Sequence, residues 1–454
     1  MAKTTQFASK IGLIAATVGS AVGLGNVWRF PAETQANGGA AFLIIYIACV
    51  FLLGVPVMVA EFAIGRSGRS DAVGSFINLG ASRPWWAVGG VAILASYMIL
   101  CFYMVVAGWT LEYLIASVSG FLYDGAGAMA HTDSAFFAGK MSTLIGSRYY
   151  PLIATYVVIL INAAVLIVGV QKGIERMSNI MMPLLFVILL VLCGVSLTLP
   201  GASEGLEFFL RPDFSRVTAS TFLNALGQAF FSLSLGMGIL ITYASYFPRT
   251  THLTRTAVTV SMLDLLVALL MGFIIFPAVT TFSLEGESLS GSTLVFVTLP
   301  EVFARMPATQ VWSVMFFLLL FVAALTSTIS IAEVSVAFVA DRMDVPRRVS
   351  TIVVLLPLFG FSTVCALSQL PSLGLTIGGA TVFDFLDDVA TNMLLPLVAM
   401  FTCLYVGWFA PPGLLRREVT NRGSARARAH GLILFILRYV APLLTGIILV
   451  SRFL

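Results

Sequence analysis

Two long apolar segments of this chain are each interrupted near the middle by a glycine-rich turn. The residues Gly-Leu-Gly-Asn at 23–26 break the segment 11–35, and Ser-Leu-Gly-Met-Gly at 234–238 break the segment 220–247. Irregular backbone at membrane depth survives only where protein or a polar cavity satisfies its amides and carbonyls. Two such breaks in corresponding segments are typical of secondary transporters, which bind solute and ions where the backbone is unwound. The pattern therefore predicts a binding site for a transported solute between the breaks.

The composition places the rest of the chain in a membrane as well. Only 10% of the 454 residues are charged, whereas 59% are hydrophobic and the mean hydropathy is +1.00. A soluble domain carries about 25% charged residues. Apolar stretches long enough to cross a bilayer core of roughly 30 Å occur eleven times, which predicts an all-α polytopic membrane protein. These stretches, numbered spans 1 to 11, are 11–35, 39–65, 86–118, 150–170, 177–199, 220–247, 252–283, 310–341, 350–370, 383–410 and 431–451.

The lysine and arginine residues predict an orientation. With a cytoplasmic N-terminus, seventeen of them fall on the inner side and six fall outside, as the positive-inside rule requires. We therefore expect a multi-pass protein of the cell's inner (plasma) membrane, with its C-terminus extracytoplasmic. The net charge of +4 follows from the same bias, so we infer no nucleic-acid partner.

Spans 1–5 and 6–10 follow one plan. Each group opens with a broken segment, continues with a proline-bearing helix (Pro56, Pro277) and closes with another (Pro183, Pro396). Because each group has an odd number of spans, the two cross the membrane in opposite senses, which predicts a 5+5 inverted repeat with broken helices 1 and 6. The expected divisions are 1–199 for the first repeat, 200–410 for the second, and 411–454 for a cytoplasmic loop and span 11. The apolar piece 294–306 is predicted to be a re-entrant lid on the outer side.

Polar side chains inside the spans mark candidate sites, because ionisable groups are costly there. Asp264 stands alone in span 7, where it needs a cation or a proton unless its role is structural. Arg29 lies near the outer end of span 1, and Asp387 with Asp388 in span 10 supplies a facing acid; the alternative is that each reaches the interface separately. Thr-Ser-Thr at 326–328 would alone only bond back to the helix, but beside two breaks its hydroxyls offer ligands for Na⁺.

Five motifs resemble the neurotransmitter:sodium symporter family, in its bacterial branch. They are Gly-Ser-Ala-Val-Gly-Leu-Gly-Asn-Val-Trp-Arg-Phe-Pro at 19–31, Asn-Gly-Gly-Ala-Ala-Phe at 37–42, Gly-Gln-Ala-Phe-Phe-Ser-Leu-Ser-Leu-Gly-Met-Gly at 227–238, Ile-Thr-Tyr-Ala-Ser-Tyr at 241–246 and Ala-Leu-Thr-Ser at 324–327. The resemblance covers spans 1 to 10 and implies a LeuT-type fold with two bound sodium ions.

The resemblance also implies roles for individual residues. The ligands of the first sodium ion, beside the substrate carboxylate, would be Ala21, Asn26, Ser232 and Asp264. Those of the second would be Gly19, Val22, Ala323, Thr326 and Ser327. The substrate contacts would be Ser20, Ala21, Gly23, Leu24, Gly25, Ile99, Tyr103, Val106, Phe231, Ser234, Met237, Ser327, Thr328 and Ile331. The outer gate would be Arg29 with Asp387 beneath a Phe231 lid, and the inner gate would include Tyr246 and Asp341.

The chain departs from the family pattern near its start. The family often carries an Arg and a Trp there, where this chain reads Lys-Thr-Thr-Gln-Phe at 3–7, so Lys3 is the candidate substitute in the inner latch. Gly173 and Pro183 match a Gly-x9-Pro pattern that some bacterial relatives use to unwind span 5.

The expected function is sodium-coupled symport of a neutral, apolar or aromatic amino acid by alternating access. Relatives that carry monoamines have an Asp where this chain has Gly23, which favours a substrate with its own carboxylate. Chloride independence is expected because Asp264 would replace the anion that animal relatives bind. The alternatives are a proton-coupled permease of the same fold, with Asp264 as proton carrier, and a membrane-embedded enzyme. The second lacks support, because His131, His252 and His430 lie in loops and no H-E-x-x-H or G-x-S-x-G motif occurs.

Overall fold

The computed structural model describes residues 6–80, 84–123, 134–282, 291–421, 423 and 429–451. In this part of the chain nine unbroken helices are long and apolar enough to cross a membrane. They are spans 2 to 5 (Ala40–Gly68, Trp86–Val118, Tyr150–Val168, Val170–Ser196) and spans 7 to 11 (Leu253–Thr281, Thr309–Met343, Arg347–Ser368, Val382–Phe409, His430–Ser451). The predicted class of all-α polytopic membrane protein is confirmed.

The two broken segments complete the set. Span 1 consists of Lys10–Ala21 and Gly25–Ala36, which bend by 52° at their break. Span 6 consists of Ala219–Ser232 and Ile239–Ser245 with six residues between them. These segments together are consistent with the eleven spans expected from the sequence.

Backbone conformation explains the break in span 6. Ser234, Gly236 and Gly238 have φ angles of 55°, 78° and 73°, a left-handed region that L side chains rarely adopt. A Cβ atom at position 236 would lie 2.4 Å from the carbonyl oxygen of Leu395 in span 10. Glycine is therefore required there both by the turn and by the close approach of span 10.

Burial separates central helices from peripheral ones. In span 8, 78% of the most apolar window is buried inside the protein, against 28% in span 11. Large apolar side chains such as Leu160, Val187, Leu356 and Leu443 are exposed on spans 4, 5, 9 and 11, as expected for surfaces that face hydrocarbon. Span 8 therefore lies in the interior of the protein, where spans 1 and 6 pack against it.

Short helices and a small hairpin connect the spans. The helices are Ala72–Asn78, Ser134–Ile145, Ala202–Leu210, Gly291–Ala304 and Leu414–Val419, and the hairpin pairs Thr376–Ile377 with Ala380–Thr381. The piece predicted as a lid forms Gly291–Ala304, whose buried Phe296 packs against Trp28, Trp109 and Tyr113. This helix covers spans 1 and 3 near their C-terminal ends.

Candidate functional site

The two breaks lie against each other in the centre of the protein. The Ser234 hydroxyl donates to the Ser20 carbonyl at 2.7 Å, and the Gln228 amide donates to the Gly25 carbonyl at 3.0 Å. A Cβ atom on Gly25 would lie 2.9 Å from the Phe231 ring. The structure thus brings together the backbone of spans 1 and 6 at the point where both are unwound.

The residues expected around the first sodium ion form one buried cluster. The Asn26 side-chain amide donates to Asp264 Oδ1 at 2.8 Å, and the Ser232 hydroxyl donates to Asp264 Oδ2 at 2.8 Å. The Tyr46 hydroxyl approaches the same Oδ2 atom at 3.5 Å. Asp264 is fully buried, and no ion pair joins it to another described residue.

The composition of this cluster fits a monovalent cation. A buried carboxylate without a positive partner is costly, and here its neighbours are a neutral amide and hydroxyls. Span 1 adds backbone oxygen, because the helix stops at Ala21 and the Gly23 amide bonds to Asn26 Oδ1 instead of extending the helix. One carboxylate with several neutral oxygens is a suitable donor set for Na⁺.

The residues expected around the second sodium ion also converge. The Ser327 hydroxyl donates to the Val22 carbonyl of span 1 at 3.3 Å, whereas the Thr326 hydroxyl donates to Ala323 of its own helix at 3.0 Å. A Cβ atom on Gly19 would lie 3.4 Å from Thr326 Cβ. Spans 1 and 8 therefore meet at this group of hydroxyls and freed carbonyls, and the Ser327 bond leaves its own helix.

Between the two clusters the backbone of span 1 turns its amides toward Tyr103. The Leu24 amide donates to the Tyr103 hydroxyl at 3.1 Å. A Cβ atom on Gly23 would lie 2.6 Å from Ser327 Oγ and 2.9 Å from the Tyr103 hydroxyl oxygen. A side chain at position 23 therefore has no room unless these groups move.

The remaining expected substrate contacts are buried and mostly apolar. Five of them have less than 6% of their surface exposed, namely Ile99, Val106, Met237, Thr328 and Ile331. The Thr328 hydroxyl donates to the Leu325 carbonyl at 2.9 Å, within its own helix. None of these five carries a charge, which favours a neutral ligand side chain.

One buried carboxylate next to this site was missed by the sequence analysis. Glu61 in span 2 is fully buried, and its Oε1 accepts a hydrogen bond at 2.8 Å from the Gly236 amide in the break of span 6. This bond satisfies a backbone amide that the break leaves without a helical partner. The signal was available, because Glu61 is the only charged residue in the apolar run 40–65.

The outer gate differs from expectation. The Arg29 guanidinium lies over the Phe231 ring, 4.9 Å from its centroid, and Nε is 3.9 Å from Glu33 Oε1. Asp387 instead accepts a bond from the Thr391 hydroxyl at 3.4 Å, and no ion pair of the described residues joins it to Arg29. Phe231 contacts Arg29, but the Arg29–Asp387 pair is not formed in this structure, so the outer gate stays a prediction.

The inner gate contains residues that the sequence analysis did not name. The Tyr246 hydroxyl donates to Glu333 Oε1 at 2.8 Å, and Glu333 forms a salt bridge with Arg347. Asp341 accepts bonds from the Asp71 amide at 2.9 Å and the Ser70 hydroxyl at 3.0 Å. Tyr246 and Asp341, the two residues expected at the inner gate, therefore bind different partners. Glu333 lies inside the apolar helix Thr309–Met343, which was the available signal.

The start of span 1 is held at the same end. Phe7 packs edge-on against Tyr243 and Tyr246, with ring centroids 5.9 and 6.2 Å apart. The Glu175 carboxylate of span 5 accepts bonds from the Ala8 amide at 2.8 Å and the Ser9 amide at 3.0 Å. Lys3, the candidate substitute for the family's arginine, lies outside the described residues.

Span 5 begins directly after a turn at Gly169, and the unwinding expected from its Gly-x9-Pro pattern stays a prediction. Gly169 has a φ angle of 104°, and a wide π-type turn covers Val170–Glu175 before the regular helix that contains Pro183. A Cβ atom on Gly173 would lie 2.1 Å from the Val165 carbonyl oxygen. The glycine is thus needed where the chain passes from span 4 into span 5.

Comparisons with known proteins cover the whole chain. The family model described as "Sodium:neurotransmitter symporter family" matches residues 4–134 and 133–454. An uncharacterized sodium-dependent transporter of Bacillus subtilis is 34% identical over 97% of this chain and 96% of its own length. One from Haemophilus influenzae is 32% identical over 98% and 97%. The crystal structure of MhsT in complex with L-phenylalanine is similar with a TM-score of 0.88 and 39% identity, over 98% of this chain and 99% of that one.

Proposed function

This chain belongs to the sodium:neurotransmitter symporter family, and we propose that it couples two Na⁺ ions to uptake of a neutral apolar or aromatic amino acid, without chloride. Membership makes the chain a sodium-dependent secondary transporter and not an enzyme. The substrate, the number of ions and the chloride independence are the content of the proposal.

The observation that carries the amino-acid assignment is the crowding around Gly23. Ser327 and Tyr103 occupy the space that an acidic side chain at this position would need. The next residues start the outer half of span 1, and a helix N-terminus favours an anion. The substrate carboxylate would accept bonds from the amides of Leu24 and Gly25 and from Tyr103, close to the first ion.

The side-chain preference rests on the walls of the site. Ile99, Val106 and Ile331 offer apolar contacts, and no charged group among them would pair with a charged substrate. MhsT, which shares the fold and 39% identity, was solved in complex with L-phenylalanine. An apolar or aromatic amino acid is therefore the class to test first.

Two coupled ions would give a large driving force. At about 2.3 kcal/mol per charge for 100 mV and about 1.4 kcal/mol for a tenfold ion gradient, the drive is on the order of 7 kcal/mol. This corresponds to accumulation on the order of 10⁵-fold.

The test is uptake of labelled amino acids by purified protein in liposomes. We expect concentrative uptake of an apolar or aromatic amino acid with external Na⁺, equally in chloride and in gluconate. Uptake that continues when choline replaces Na⁺ and follows an imposed proton gradient would contradict the proposal and support the proton-coupled permease. A wild-type protein that stops in gluconate would contradict chloride independence alone.

A further inference from the structure

Two cavities lined by arginine open on the side of the protein that carries the N-terminus. One of about 190 Å³ lies between the end of span 2, the loop before span 7 and the loop after span 10, and its wall includes Arg66, Arg69 and Arg249. The other, of about 570 Å³, includes Arg416 and Arg417. Both are lined by Ser67 and Glu418, so they form one concave surface, which we call the arginine pocket.

Positive charge in the arginine pocket exceeds what its acid can balance. Of the described residues that line it, five are arginines and one is a carboxylate. That carboxylate, Glu418, is already paired with Arg66, which is buried and also donates to Asn421 Oδ1 at 3.0 Å. Arg249, Arg416 and Arg417 are exposed and form no ion pair with the described residues.

A cavity on the opposite side shows that convergent arginines need not leave a net charge. It measures about 440 Å³ and is lined by Arg211 and Arg216, with Glu207 and Asp213. Arg211 pairs with Glu207, and Arg216 lies 3.4 Å from Asp213. The positive-inside bias explains why arginines occur in inner loops, but not why three separate segments direct five of them to one surface that holds a single carboxylate.

We propose that the arginine pocket binds the phosphate headgroup of an anionic phospholipid in the adjacent leaflet. The planar guanidinium group binds phosphate with two parallel hydrogen bonds, and exposed arginines lose little hydration when they do so. Arg249 lies four residues before Leu253, where span 7 starts, and Arg66 and Arg69 lie at the end of span 2. The arginines are therefore at the depth of the headgroups, where basic pockets between spans bind anionic lipids.

The experiment is a lipid titration of the delipidated full chain in detergent, followed by native mass spectrometry. Phosphatidylglycerol and phosphatidylcholine with the same acyl chains are compared on the wild type and on Arg249→Gln with Arg417→Gln. The matched control is Arg211→Gln with Arg216→Gln, at the cavity whose charges are balanced. We expect tighter binding of phosphatidylglycerol by the wild type and the control, and about 30-fold weaker binding by the inner variant, equivalent to about 1 kcal/mol per arginine.

Three results would overturn the proposal. They are equal affinity of the wild type for the two lipids, an unchanged affinity of the inner variant, and displacement of phosphatidylglycerol by equimolar glycerol phosphate, which would show a soluble phosphate ligand. Both substituted arginines are exposed, so folding should persist, and a melting curve checks this. If the double variant melts early, the single variants Arg249→Gln and Arg417→Gln replace it, each with an expected loss of about fivefold.

Discussion

The two ends of the proposed transport path are closed by different chemistry. At the outer end Arg29 covers the Phe231 ring and approaches Glu33, and the two charged side chains remain 27% and 25% exposed. At the inner end Glu333 is fully buried and is shared by Tyr246 and Arg347. Exposed ion pairs contribute about 0–1 kcal/mol, whereas loss of one partner from a buried pair costs about 3–5 kcal/mol. Breaking the inner cluster should therefore cost more than breaking the outer pair.

The backbone elements at the two ends are held by different contacts. The outer end is covered by the helix Gly291–Ala304, whose Phe296 packs against Trp28 and whose buried Glu301 pairs with Arg305. The inner end also holds the start of span 1, through Phe7 and the Glu175 carboxylate. Ligands can shift a conformational equilibrium only by their difference in affinity for the two states. Under the proposed function, the ions and the substrate must therefore differ in affinity between the two states by enough to offset the contacts that close each end.

The largest expected effect compares the two ends directly. Glu333→Ala removes the fully buried partner of Arg347, whose own side chain is 24% exposed, and leaves the Tyr246 hydroxyl without its acceptor. We expect the free energy of unfolding to fall by about 3 kcal/mol, the lower end of the range for a buried pair. Glu33→Ala removes the partly exposed partner of Arg29 and should cost about 0–1 kcal/mol. Unfolding by SDS titration measures both in the same detergent. Equal losses at the two ends would show that the buried cluster is not the stronger latch.

The second largest expected effect concerns the proposed ion site in the centre of the protein, between the two ends. Asp264→Asn removes the fixed negative charge beside the proposed ions, and charges interact strongly in a low-dielectric site. Uptake in gluconate should fall by roughly 100-fold, or about 2.7 kcal/mol, and chloride should restore part of it.

The matched control for this variant is Glu61→Gln, another fully buried carboxylate beside the break of span 6. Its side-chain oxygen still accepts the Gly236 amide, so it should not make uptake respond to chloride, whatever it does to the rate. A chloride response in both variants would mean that any lost buried charge produces it. The chloride response of Asp264→Asn would then give no evidence that Asp264 lies beside the ions.

The elements of this molecule were largely predictable, whereas its long-range ion pairs were not. Span 6 was predicted at 220–247 and lies at 219–245, because glycine clusters and apolar runs are local signals. Arg29 approaches Glu33, because a partner four residues along a helix is within reach, and its expected pairing with Asp387 stays a prediction. Glu333 could have been flagged by its apolar surroundings, but its partner Arg347 belongs to the next span and is selected by packing.

A smaller effect tests whether ion binding sets the balance between the two ends. In Thr326→Ala with Ser327→Ala, the hydroxyl groups at the proposed second ion site are lost, and the Na⁺ half-saturation of uptake should rise about tenfold, or about 1.4 kcal/mol. The control Thr445→Ala removes a buried hydroxyl that donates to the Ala441 carbonyl in the same manner, in the peripheral span 11. An unaltered half-saturation in the double variant would place the second ion elsewhere.

The smallest expected effect lies at the inner surface, where Asp71 sits beside Asp341 and 3.6 Å from Arg342. Burial raises the pKa of the Asp71 carboxyl, and the Gly74 amide and Arg342 only partly oppose this. Because the pKa is higher in the folded protein, folding favours the protonated form. The stabilisation that the protonated Asp71 provides is complete below the pKa of the unfolded chain, which is about 4. It is lost as the pH rises through the higher pKa of the folded protein.

Asp71→Asn should remove this pH dependence while preserving the fold. Asp71 Oδ1 accepts the amides of Val73 and Gly74 at the start of the helix Ala72–Asn78, and Asn serves equally well at that position. At neutral pH we expect the variant to be more stable than the wild type by less than about 1 kcal/mol. This difference in the free energy of unfolding should shrink as the pH is lowered toward 4. Unfolding measured from pH 4 to pH 7 gives the difference curve. If the variant instead becomes less stable than the wild type as the pH rises, the Asp71 charge stabilises the inner end through Arg342.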